Sequence, residues 1–70
     1  MEIRETCKQI IAEAQAILDY TDSIAAVRDA SLTAVFTETR ADELAHLQKL
    51  VVALTELMSG DEPAQAELMD

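Results

Sequence analysis

Arg28-Asp29-Ala30-Ser31 separates two long amphipathic stretches, and its reading decides whether the chain makes one helix or two. Asp29 or Ser31 can cap a helix that begins just after it. A turn is expected here. The stretch is short and contains no glycine, so one continuous helix is the alternative. Read as a turn, it folds the chain into an antiparallel αα-hairpin.

The flanking patterns carry the helices outward from that turn. On the N-terminal side, Ile3, Thr6/Cys7, Ile10, Glu13/Ala14, Ile17, Tyr20, Ile24 and Val27 recur in steps of three and four. That is the spacing of one helix face, and it predicts a helix over about residues 3–28. On the other side the stripe runs Leu32, Val35/Phe36, Thr39, Glu43, His46/Leu47, Leu50, Ala53/Leu54 and Leu57, which predicts a helix over about 31–59. Gly60 follows where a left-handed cap residue is expected. Residues 1–60 are thus read as the hairpin. Residues 61–70 are read as a short C-terminal helix or tail, with Asp61 as its cap and Pro63 in its first turn.

Composition narrows the fold class to all-α and points to association. Seventy residues rarely build a sufficient core alone, and the single cysteine, Cys7, excludes an internal disulfide. Half of the residues are apolar, which argues against disorder despite a net charge of −9. A lone hairpin leaves one side of its apolar stripe wet, whereas two hairpins form a four-helix bundle. The acidity argues against nucleic acid as a partner. No apolar run reaches the roughly 18–20 residues of a membrane span. Met1-Glu2-Ile3-Arg4-Glu5 lacks the basic start and apolar block of a signal peptide, so a cytoplasmic location is expected.

Three polar residues interrupt the stripes. Glu43-Leu44-Ala45-His46 is a Glu-x-x-His unit, whose ends share one helix face. A carboxylate and an imidazole in leucine positions are costly to bury without a partner. Counted from a turn centred near residue 29, Glu13 lies about 16 residues before it, and Glu43 and His46 about 14 and 17 after it. The three are level on facing helices. A homodimer would gather two copies of Glu13 and two of Glu-x-x-His, the ligand set of a di-iron carboxylate bundle. Carboxylates bridge and neutralise metal ions, while imidazole sets geometry.

At these residues the chain resembles the ferritin-like, rubrerythrin-like superfamily, and most closely its short encapsulated-ferritin-type members. The resemblance rests on Ala12-Glu13-Ala14-Gln15-Ala16-Ile17-Leu18-Asp19-Tyr20-Thr21 and on Ala41-Asp42-Glu43-Leu44-Ala45-His46-Leu47. In those relatives a glutamate on the first helix precedes the Glu-x-x-His glutamate by the same 30 residues. Tyr20, two turns after Glu13, matches an aromatic often found near their site. The resemblance implies Glu13, Glu43 and His46 as metal ligands and catalytic residues, with Tyr20 in hydrogen-bonding support. It further implies iron shared between two chains, a dimer or ring of dimers, and oxidation of Fe(II) by oxygen with iron storage or detoxification as the role. Many relatives carry Glu where this chain has Asp42. Enclosure in a protein shell is a further implication, although residues 59–70 contain no recognisable cargo-targeting peptide.

The alternatives remain open at this stage. Zinc, manganese or calcium would also accept this donor set. Glutamate and histidine can instead hydrogen-bond each other and specify register. The chain would then be a non-redox oligomerisation or adaptor module, with a structural metal or none.

Overall fold

In the computed structural model, which describes residues 2–60, two helices and a three-residue link account for residues 2–59. Helix α1 spans Glu2–Ala26 and helix α2 spans Ala30–Ser59. No strand occurs among the described residues. The hairpin expectation holds, and each helix boundary falls within two residues of the sequence reading. The short helix expected over 61–70 lies outside the described residues.

The turn is made by Asp29. Its backbone is extended (φ −77°, ψ 122°), and its side chain accepts a hydrogen bond from the Leu32 N–H at 3.0 Å. This is N-cap geometry, and it satisfies one of the amide donors orphaned at a helix start. Thr33 adds both its backbone N–H and its hydroxyl to the Asp29 carbonyl. Ser31, the other capping candidate, lies inside α2. At the far end Gly60 takes the left-handed conformation (φ 72°), and its N–H donates to the Leu57 carbonyl. A side chain there would meet open space but a strained backbone.

The helices pack along a single seam. From α1 it takes Ile10, Glu13, Ile17, Tyr20 and Ile24, and from the link Val27, all half-buried. From α2 it takes Thr33, Phe36, Arg40, Glu43, Leu47, Leu50 and Leu54, close to a heptad spacing. Tyr20 and Phe36 meet across it with ring centroids 5.9 Å apart. One helix turn away, the Arg40 guanidinium donates to the Thr21 hydroxyl at 3.0 Å, and that hydroxyl donates in turn to the Ile17 carbonyl.

The seam differs from the sequence stripe on α2. Leu32, Val35 and Leu57 belong to the stripe by spacing but are 44%, 54% and 36% exposed. Thr33 is half-buried instead, and of the paired stripe positions Leu47 and Leu54, not His46 and Ala53, are the half-buried members. Leu44, Leu47, Leu50, Val51 and Leu54 make α2 apolar on several sides, so periodicity alone leaves its inward face loosely defined. The molecule is one helix thick, 11 Å in its shortest dimension. No described residue is fully buried.

Asp29→Ala removes the cap and should destabilise the fold by about 1 kcal/mol, while Asp29→Ser should restore most of the loss. Urea unfolding followed by helical circular dichroism reads both. Equal stability of all three proteins would show that the turn does not depend on the cap.

Candidate metal centre

The turn sets Glu13 opposite Glu43 and His46. With α1 ending at Ala26 and α2 starting at Ala30, these positions lie at one height on the two helices. Each of the three side chains offers a donor atom, and the three atoms lie within 4.8 Å of one another. The structure therefore brings together all three residues singled out by spacing.

They are not equally placed. The Glu13 side chain is 14% exposed and sits in the seam, whereas the His46 side chain is 57% exposed at its edge. Nδ1 of His46 lies 2.9 Å from Oε2 of Glu13. Nδ1–H donating to this oxygen is the contact expected of a pair that fixes register, and it is real. It also fixes the imidazole tautomer, as a carboxylate does for a ligating histidine.

That hydrogen bond leaves most of the cluster's polar capacity unused. Oε1 of Glu13 is buried and has no hydrogen-bond partner. Buried acceptors are rarely left this way, because desolvation is then uncompensated. The neighbouring Glu43 cannot satisfy it while ionised, since a carboxylate only accepts. Accordingly the Glu43 carboxyl is raised above its ordinary value of 4.5. The first cause is a hydrogen bond with Glu13, followed by desolvation and by the negative charge of Glu13; His46 opposes the shift and Asp42 adds to it. A proton on Glu43 is one way to satisfy the cluster. A cation is the other.

The donor set suits a divalent metal. Two carboxylates and one imidazole are the donors that zinc, manganese and iron accept. Metal–ligand bonds of about 2.1 Å put neighbouring donors closer together than 4.8 Å. Small rotations of three half-exposed or flexible side chains close that gap. Three donors from one hairpin also leave coordination positions open.

Tyr20 does not take the supporting position. Its ring packs on Phe36 two turns along α1, and no hydrogen bond joins its hydroxyl to Glu13, Glu43 or His46. Spacing alone missed Arg40, because a basic residue between Thr39 and Ala41 reads as surface charge. Its only visible signal is the four-residue step from Phe36 and the three-residue step to Glu43. No helix among the described residues is long and apolar enough to cross a membrane. No family model, curated protein or solved structure matches the chain.

The raised Glu43 value has a consequence for stability. The folded protein holds that proton more tightly than the unfolded chain. The stabilisation is therefore full below the ordinary carboxyl value and is lost as pH rises through the raised one. With chelator present, melting temperature between about pH 4 and 7 should fall more in the native chain than in Glu43→Gln. The glutamine donates to Glu13 without titrating. Parallel pH curves would remove the Glu13–Glu43 coupling.

Proposed function

We propose that two of these hairpins pair across the Glu13, Glu43 and His46 cluster into a four-helix bundle. The pair holds two iron ions and oxidises Fe(II) with oxygen as the electron acceptor. The observation that carries this reading is the orphaned Oε1 of Glu13, buried within 4.8 Å of a second carboxylate and an imidazole. In this reading Glu43 bridges the metals, and Glu13 and His46 bind one metal each. Each hairpin alone supplies three donors, so a second hairpin supplies the matching set.

Iron here is the substrate, and the residues act on it through charge. Carboxylates favour Fe(III) over Fe(II), because the added positive charge is stabilised by nearby negative charge in a site of reduced dielectric. His46 keeps the site from becoming wholly anionic. The exposed edge at His46 gives ions and oxygen a short path. No cavity lies between the helices among the described residues. Storage of oxidised iron would accordingly take place outside the single hairpin, in an assembly or an enclosing compartment.

A second reading is favoured by the existing His46–Glu13 hydrogen bond. The same donors with one water satisfy zinc, which would fix register in a non-redox helical module.

Anaerobic loading with Fe(II), and in parallel with an equimolar mixture of Fe(II) and Zn(II), followed by desalting, separates these readings. About one iron per chain is expected, lost in Glu43→Ala, with oxygen consumed on exposure to air. Zinc retained in preference to iron, with no oxygen uptake, would support the structural metal. No retained metal in either protein would overturn both.

A further inference from the structure

Two cross-helix polar contacts lie on opposite flanks of the seam. On one flank Nδ1 of His46 meets Oε2 of Glu13 at 2.9 Å. On the other the Arg40 guanidinium donates to the Thr21 hydroxyl at 3.0 Å. That hydroxyl has a single proton, which it gives to the Ile17 carbonyl at 2.8 Å. Its lone pairs are therefore what it offers Arg40, and the contact is directional. Arg40 is half-buried, whereas the His46 side chain is 57% exposed, where water competes for its hydrogen bond.

These contacts hold α2 in a rotation that its hydrophobic pattern does not favour. From Glu43 onward the seam takes Glu43, Leu47, Leu50 and Leu54. A second set at heptad spacing, Leu44, Leu47, Val51 and Leu54, is wholly apolar. Turning α2 about its axis by about 50°, half the step between neighbouring residues, exchanges the first set for the second. Leu44 and Val51, each 46% exposed, and Met58, 65% exposed, would move inward. Glu43 and Leu50 would leave the seam, and His46, already at its edge, would face water. The net exchange is a glutamate for an aliphatic side chain, which apolar burial and carboxylate hydration both favour. Against the turn stand the needs of Glu13 and the Arg40–Thr21 contact, because the same turn carries Arg40 across the seam and away from Thr21.

We infer that Arg40 is a positioning residue for the cluster: its bond to Thr21 holds α2 in the rotation that brings Glu43 and His46 to Glu13. The residue type fits the task. A guanidinium is always charged, and its long stem lets it reach a flank from an inward position. Leucine at position 40 would suit the heptad pattern, but it would leave the apolar rotation unopposed on that flank. Tyr20 and Phe36 meet one turn away, yet their tilted ring contact constrains rotation less sharply than a hydrogen bond does. The inference deepens the metal-centre reading and rests on it for what the cluster binds. The rotation itself can be read without metal.

The test reads the single histidine of the full chain by nitrogen NMR, in chelator at about pH 8, where the imidazole is neutral. The native protein should carry the His46 proton on Nδ1, held by Glu13. Arg40→Met and Thr21→Val should each move it largely to Nε2, while their urea midpoints stay level or rise. Arg40→Lys still donates to Thr21 and should keep the proton on Nδ1. Adding Leu44→Gln and Val51→Gln to Arg40→Met removes the competing stripe and should return the proton to Nδ1. If Arg40→Met unfolds, Thr21→Val decides, since it keeps every charge. A proton still on Nδ1 with a lowered urea midpoint marks a merely stabilising contact and overturns the inference. So does a loss that the two glutamines fail to reverse. Zinc binding, measured on the same proteins, should weaken about 10- to 100-fold in Arg40→Met and Thr21→Val. A native chain that binds no zinc while its tautomer responds as expected sinks the metal reading and leaves the positioning role standing. Equal zinc affinity in the native chain and both variants sinks the positioning role and leaves the metal reading intact.

Discussion

Glu13 occupies the one seam this molecule has, and the behaviour of the hairpin depends on how that carboxylate is satisfied. A larger protein could surround such a group with backbone donors. Here the facing helix supplies only side chains, because its own amides are used within the helix. His46 satisfies one oxygen at 2.9 Å, and Oε1 is left buried and unpartnered. Leucine in all three positions would pack better and titrate less. Retaining two acids and an imidazole at one height therefore makes sense as a site for a bound cation more readily than as a device for stability.

A proton and the proposed metal would compete for the same place. The raised Glu43 carboxyl means that the cluster takes up a proton more readily than an exposed acid does. A metal ion must displace that proton before it can bind. In the proposed iron reading this competition would link uptake to pH without any moving part. It also limits the register reading, in which Glu43 has no necessary role. A Glu13–His46 pair alone would fix the two helices, and a second carboxylate beside it adds repulsion.

Much of this was legible in the sequence, for identifiable reasons. Asp29 and Gly60 are residues whose side chain, or lack of one, matches the backbone required at a helix start and end. The level placement of Glu13, Glu43 and His46 follows from counting, because each residue advances a helix by the same rise. What periodicity could not settle was rotation about the α2 axis. With leucine or valine at 44, 47, 50, 51 and 54, more than one face is apolar, and cross-helix contacts choose among them. Tyr20–Phe36 and Arg40–Thr21 make that choice. They turn Leu32 and Val35 outward and move His46 from the seam to its edge. Tyr20 shows the other limit of spacing: two helical turns bring a residue back to the same face, but about 10 Å further along it, where its ring meets Phe36.

The same rotation gives the molecule its two sides. Moving His46 to one edge leaves its side chain 57% exposed, so the cluster opens to water on that flank. Moving Arg40 to the other edge ties its guanidinium to Thr21, one helix turn from the exposed Leu44. An arginine held by a hydroxyl, with no carboxylate in its described contacts, keeps donors available at that boundary. A chain of two helices with a single seam, unlike an enclosed core, leaves two faces to be specified separately.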